Sequence, residues 1–322
     1  MMRHNVLLLS AGRRVELLES FRKSLSFHLP LAKVFAADTA SRYSAACHVA
    51  DACFDIPRVS DPGYIDALLA LCREKQVGLL IPTIDTELMA LSQFQDRFLE
   101  EATQPVISDA RLIAHCRDKR LTAKVFKSIG IDTPEVYPRH DLSFPCFCKP
   151  YDGSSGKGAF LVSGPDRLSR SMLEDERNIF MELIGNDYNE YTIDAYYDRH
   201  GEMRCLVPRQ RLEVRGGEVS KGVTRGGYVY EYLTRRLKRL NGARGCITVQ
   251  LFYQPVTQSI KAFEINPRFG GGFPLADAAG ANYPDWLIRE YLLGQEIESF
   301  DRWQQDLLML RYDAKVLLSH NK

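Results

Sequence analysis

Residues 246–272 read CITVQLFYQPVTQSIKAFEINPRFGGG. The apolar, β-branched and aromatic content of residues 247–253 and 260–265 predicts two strands joined by a polar turn. Side chains alternate across a strand, so Glu264, Asn266 and Arg268 share one face if the second strand continues that far. Gln250 sits among apolar residues of the first strand, where a polar side chain needs a partner. A carboxylate, two amide oxygens and a guanidinium on neighbouring strands suit one task. Hard oxygen donors hold Mg²⁺, and an arginine grips a phosphoryl group. The plain alternative is an edge hairpin with a solvated polar face. Pro267, Arg268 and the run Gly270, Gly271, Gly272 favour the site, because they set a rigid turn and exposed backbone N–H groups right after the polar row.

The chain has 322 residues, enough for two or three sub-domains. Its apolar and charged fractions, 45% and 26%, are ordinary for a globular protein. A formal net charge of +1 gives no support for nucleic acid or an anionic membrane as the main partner. No apolar run approaches the ~20 residues that cross a bilayer. The opening MMRHNVLLLSAGRR is expected to be a buried first strand and not a signal peptide, since the apolar run ends at Leu9 and Arg13 and Arg14 follow at once. The eight cysteines are scattered, with Cys146 and Cys148 as the one close pair. They read as small core residues in a reducing cytoplasm.

Working back toward the N-terminus, strands at residues 5–10, 34–37, 53–56 and 79–82 alternate with helices at 13–29, 61–75 and 86–100. That alternation predicts a parallel, doubly wound sheet. Asp61 is expected to cap its helix, with Pro62 at the first position. The turn after the first strand lacks a full G-x-G-x-x-G, so Asp38 alone makes a weak case for a dinucleotide. Such sheets bind ligands at the carboxyl ends of their strands, which puts Thr83, Asp85 and Glu87 within reach of a second substrate. The alternative is that Asp85 and Thr86 merely cap the next helix.

From Pro105 the organisation changes. Helices are expected at 109–115 and 118–129, with Lys119 at the N-terminus of the second, where a phosphate is attracted. A strand at 145–149 ends in Lys149 and Pro150. Gly153-Ser154-Ser155-Gly156-Lys157-Gly158 follows, then a strand at 159–162. A glycine-rich loop between antiparallel strands can fold its N–H groups over phosphates, although this is no P-loop and a plain hairpin is the alternative. Glu182 interrupts an apolar strand at 178–184. Alternation over 190–196 puts Glu190, Thr192 and Asp194 on one face. Residues 210–227, with Arg211, Arg215, Lys221 and Arg225 among glycines, read as a basic loop suited to an anionic ligand or simply to solvent. A helix at 234–241 leads into the quoted stretch.

Taken in order, Lys119, Lys149-Pro150 before G-S-S-G-K-G, M-E-L-I, G-N-D-Y-N-E, Gln250 and E-I-N-P-R give the chain a resemblance to the ATP-grasp superfamily. Within it the chain resembles a synthetase half of the carbamoyl phosphate synthetase large subunit, over nearly its whole length. The resemblance implies an α/β protein: an N-terminal doubly wound parallel-sheet (pre-ATP-grasp) domain at 1–108, then a two-part α+β ATP-grasp domain. The latter divides into a lid subdomain at 109–180 and a C-terminal subdomain at 181–322. It implies that Lys119 and Lys149 hold the phosphates of ATP and that Gly153, Ser154, Ser155, Gly156 and Gly158 form the closing lid. Glu182 would accept from the adenine amino group, the backbone at Leu183 and Ile184 would read the ring edge, and Glu190 would hold the ribose. Gln250, Glu264 and Asn266 would ligate one or two Mg²⁺ ions, with Mn²⁺ as a substitute, and catalytic Arg268 would stabilise the transferring phosphoryl group.

The activity so implied is a carbon–nitrogen ligase joining small-molecule carboxylate and amine substrates through an acyl phosphate. A kinase that releases a phosphorylated product and a non-catalytic nucleotide-binding protein are the alternatives. The expected setting is cytoplasmic, without nucleic acid or membrane partners and with a homodimer as the assembly to test. The chain departs from carbamoyl phosphate synthetase in having one synthetase half and a glycine run after N-P-R. The acceptor pocket is therefore open, with Arg211 and Arg225 as candidates to grip a carboxylate.

Overall fold

The structure, a computed structural model, describes residues 3–153 and 158–319. Asn5–Leu9 (β1), Val34–Asp38 (β2), Ala52–Asp55 (β3), Val77–Pro82 (β4) and Gln104–Pro105 (β5) form a parallel sheet in the order β3-β2-β1-β4-β5. A parallel strand covered by helices on both faces needs apolar residues on both. In β1, Val6 and Leu8 join one core cluster with Leu18 and Phe21 of the helix Val15–His28. Leu7 and Leu9 join another with Leu68 of the helix Tyr64–Glu74 and Leu88 of the helix Asp85–Gln93. The expected doubly wound sheet is therefore present.

Some boundaries differ from expectation. The helix expected from Asp61 begins at Tyr64, because Asp61 instead accepts from the N–H of Gly63 at 2.8 Å and closes a turn ahead of it. The helix expected over 86–100 is two, Asp85–Gln93 and Gln95–Glu100, parted at Phe94. Asp38 accepts from the N–H of Gly12 at 3.0 Å and so braces the turn after β1.

Val136–Tyr137 (β6), Cys146–Pro150 (β7), Phe160–Val162 (β8) and Asn178–Glu182 (β9) form a small antiparallel sheet in the order β6-β9-β7-β8. A larger antiparallel sheet follows from Asn189–Tyr197 (β10), Met203–Arg215 (β11), Glu218–Thr224 (β12), Gly245–Gln254 (β13), Ser259–Asn266 (β14) and Leu308–Leu310 (β15), in the order β14-β13-β10-β11-β12-β15. The region read as a basic loop is thus the β11/β12 hairpin, turning at Gly216 and Gly217, whose φ of 58° and 81° favour glycine. Its charged residues alternate along β11, and a strand of that kind looks like a loop when judged by composition.

The helices Ala110–Arg117 and Lys119–Ser128 belong by packing to the larger sheet, since Leu112 and Phe126 share a core cluster with Ile193, Val249 and Ile265. The small sheet ends at Glu182, inside which the expected boundary at 180 falls. We therefore propose residues 136–182 as the lid unit in place of 109–180. One face of the parallel sheet shares its core with Tyr196 and Val207 of the larger sheet and with Phe269, Phe273, Tyr283 and Trp286 after it. That shared core fixes the two sheets against each other. All eight cysteines are free thiols, and no helix among the described residues is long and apolar enough to cross a membrane.

Candidate active site

A cavity of about 680 Å³ lies among the three sheets. Its floor is the row expected from the quoted stretch. The β13/β14 register sets Gln250 opposite Glu264 and Thr248 opposite Asn266, so these side chains share a face. Phe252 and Phe263 stack at 4.7 Å beside them. The strand stops at Asn266, however, and Arg268 does not extend it. Its Nη2 reaches Asp85 Oδ2 at 2.8 Å, a contact that joins the floor to the parallel sheet's loop after β4.

Lysines from two elements meet over this floor. Asp118 caps the helix that Lys119 opens, accepting from Arg120 N–H at 2.8 Å. The Lys119 ammonium donates to the Gly153 carbonyl. Lys149, on β7, has its pKa pulled down to about 8, first by burial and then by the charge of Lys119, with Glu264 opposing. Lys119 is lowered too, again mainly by burial. Two confined ammonium groups beside one carboxylate make a setting that favours an added anion. Gly153 lines the cavity, and Gly158, at φ 72°, follows the loop. Ser154, Ser155 and Gly156 lie outside the described residues.

At the other end, Glu182, Leu183 and Ile184 form a wall. The Glu182 carboxylate already has partners on both oxygens: Lys261 on Oε1 and the N–H of Glu135 on Oε2 at 3.2 Å. The N–H groups of Leu183 and Ile184 donate to no partner among the described residues. Glu190 accepts from Arg211 Nη1 at 2.6 Å, and the same nitrogen reaches Gln250 Oε1 at 3.2 Å. Burial raises the Glu190 pKa while Arg211 opposes the rise.

The residues expected to meet a second substrate separate. Asp85 lines the cavity through its pair with Arg268. Thr83 also borders it, but its hydroxyl is committed to the carbonyls of Leu9 and Ser10 at 3.0 and 2.8 Å. Arg225 lies away from the cavity, paired with Asp306 and Gln210. Glu87 is not on the wall either. It is 1% exposed and accepts from Ser10 Oγ at 2.6 Å and Tyr64 Oη at 3.1 Å. Burial drives its pKa from 4.5 up to about 7. A carboxyl whose folded pKa is raised holds its proton more tightly in the fold, so its contribution is full below pH 4.5 and is lost as pH climbs through 7. Relative to the wild type, Glu87→Gln is expected to gain roughly 2–3 kcal/mol of stability between pH 5 and pH 8. Urea unfolding at both pH values measures this, and an unchanged difference would remove the assignment.

Several residues of the site went unread in the sequence. Arg14, Arg209 and Glu218 line the cavity beside the glycine run. The N–H groups of the run donate to no partner among the described residues, and the run also permits close approach. A β-carbon at Gly270 would lie 3.0 Å from Thr248 Oγ1, at Gly271 2.7 Å from Glu218 Oε1, and at Gly272 2.4 Å from Arg209 Nη1. The alternation of Arg209 and Arg211 along a strand was the signal available.

The chain shares the fold of ATP-grasp proteins. Residues 6–106 match the family described as PylC-like, N-terminal domain, and residues 174–313 match ATP-grasp in the biosynthetic pathway with Ter operon. A 3-methyl-D-ornithine–L-lysine ligase of Methanosarcina barkeri is 25% identical over 76% of this chain, which spans 62% of that relative's length. Two solved structures share the fold. The biotin carboxylase domain of the Hydrogenobacter thermophilus 2-oxoglutarate carboxylase, in complex with MgADP, ADP and bicarbonate, has a TM-score of 0.73 at 15% identity, covering 96% of this chain and 74% of its own. The L-amino acid ligase of Bacillus licheniformis has a TM-score of 0.67 at 14% identity, covering 91% and 75%.

Proposed function

We propose that the chain is an ATP-dependent carboxylate–amine ligase acting on small molecules through an acyl phosphate. The observation that carries this reading is the convergence of Lys119, Lys149, the Gln250/Glu264/Asn266 row and Arg268 on one cavity. Among the described residues no group of three or more His, Cys, Asp or Glu could hold a metal unaided. One carboxylate with two amide oxygens instead fits Mg²⁺, or Mn²⁺ in its place, because such an ion keeps waters and takes phosphate oxygens to complete its shell. When bound, the ion would neutralise charge on the phosphates.

The chain's own groups divide the rest of the work. Among the described residues the N–H groups of Leu183 and Ile184 have no partner, so they suit the adenine edge better than the engaged Glu182 carboxylate does. Glu190 takes the ribose hydroxyls. Lys119 and Lys149 hold the phosphates, drawn to them by the burial that makes their ammonium groups costly alone. Arg268, steadied by Asp85, presents its guanidinium where phosphoryl charge builds. The similar structure bound to MgADP and the ligases among the similar proteins support the reading as a nucleotide-dependent ligase. A homodimer is the assembly this reading carries forward for test.

Release of ADP and phosphate, measured with carboxylates and amines added singly and together, tests the proposal. A ligase releases phosphate only when both are present. A phosphorylated product formed without amine would mark a kinase, and nucleotide binding without turnover would mark a binding protein.

A further inference from the structure

The end of the cavity beside the glycine run gathers several guanidiniums, most of them paired. Arg209 pairs with Asp194, its Nε and Nη2 on the two carboxylate oxygens at 2.6 and 3.1 Å. Arg268 pairs with Asp85 at 2.8 Å. Glu218 is shared by Arg311 at 3.3 Å and Arg13 at 3.6 Å. Arg14 lines the same cavity, half-buried, and among the described residues its guanidinium makes no hydrogen bond or ion pair. Burial and the nearby charge of Arg268 both press its pKa down, with Glu218 only partly opposing. A half-buried, unpaired guanidinium is costly unless an anion meets it.

Position narrows what that anion is. Arg14 sits at the start of the helix after β1 and approaches the glycine run, where a β-carbon at Gly271 would come 3.0 Å from its Nη1. The next glycine bears on Arg209 in the same way, so the run draws two guanidiniums toward one short stretch of backbone. The carboxylate to be activated belongs beside Arg268, and on transfer its charge passes to the acyl phosphate, which Lys119, Lys149 and Arg268 are placed to hold. Arg14, without a partner of its own among the described residues, is left for a charge that takes no part in the transfer.

We infer that Arg14 is a specificity residue that holds a second, unreacted carboxylate, so that the enzyme requires a substrate bearing a free carboxylate besides the reacting group. Guanidinium matches carboxylate through paired N–H donors, which an uncharged amide cannot reproduce. This inference rests on the ligase reading of the cavity.

The test is binding, measured with Mg²⁺ and a non-hydrolysable ATP analogue present. The probes are L-amino acids with their α-carboxamides, succinate with succinamate, and glycerol 3-phosphate. The acids that bind should lose tenfold or more in affinity when the carboxylate is amidated. Arg14→Gln should lose the same factor for the acid and almost none for the amide, and Arg14→Lys should recover part of it. Nucleotide affinity should be unchanged in both variants, which shows that they are folded. Equal binding of acid and amide, wild-type binding by Arg14→Gln, response to glycerol 3-phosphate alone, or no response to any probe would each overturn the inference. Failure of the wild type to bind the nucleotide analogue would instead overturn the reading beneath it.

Discussion

Glu264→Gln is expected to lower metal-dependent ATP turnover by about a hundredfold or more, which corresponds to roughly 3–4 kcal/mol of lost transition-state stabilisation. The reason is scarcity of charge. Within the row Gln250, Glu264 and Asn266, Glu264 is the one acid, and Glu190 and Asp194 on the neighbouring strand of the same face are already paired with Arg211 and Arg209. A hard divalent ion loses its anionic protein ligand when that oxygen pair becomes an amide. Glu264 is also only partly buried, so the change should leave the fold intact. Arg268→Ala is the companion experiment. It should still bind the nucleotide while losing turnover, because Arg268 enters the site from the loop beyond β14 and its partner is Asp85, not the wall at Leu183 and Ile184. Initial rates of ADP formation with a working substrate pair, set beside thermal melts of both variants, decide the matter. Near-normal ATP consumption by Glu264→Gln would end the metal-row assignment.

The polar row was legible because a strand's two-residue period and a short polar turn determine which side chains face together, and both can be read locally. The parallel sheet was legible for a similar reason: runs such as Val6 to Leu9 have one good use, burial on both faces. What could not be read depended on distant partners. Thr83 and Glu87 have the spacing of loop ligands, yet one is spent on carbonyls at the end of β1 and the other on Ser10 and Tyr64. Arg211 and Arg225 looked alike in a glycine-rich region. Only the β10/β11 pairing, which sets Arg211 near Glu190, separates the one in the cavity from the one outside it. Arg14 sat in a turn judged for a dinucleotide and went unread for any other anion. Glu182 stood out as an acid in an apolar strand, and the oddity was real, but Lys261, far along the chain, takes up its charge.

Asp194→Asn should cost about 3–5 kcal/mol of stability, a large share of the roughly 5–15 kcal/mol that holds a domain folded. Asp194 and Arg209 are 0% and 1% exposed, and they form a two-point pair beneath the glycine run. Around them the structure spends further polar contacts: Tyr283 Oη donates to the Asp194 carbonyl at 2.8 Å, and Thr248 Oγ1 donates to the Arg268 carbonyl at 3.0 Å. The Arg209 guanidinium is almost wholly buried, and Gly272 packs against its free end so closely that it cannot swing aside without displacing backbone. Removing the carboxylate's charge therefore strands the arginine. Replacing both residues should be milder than the sum of the single changes, because a paired loss leaves no orphan charge. Urea unfolding of Asp194→Asn, Arg209→Met and the double variant yields the coupling energy directly, and it should be on the order of 1–3 kcal/mol. Turnover should fall in all three, since Arg209 lines the cavity, so the stability cycle and not the activity isolates the pair. Single variants within 1 kcal/mol of the wild type, or strictly additive losses, would show that the pair does not hold this end of the site together.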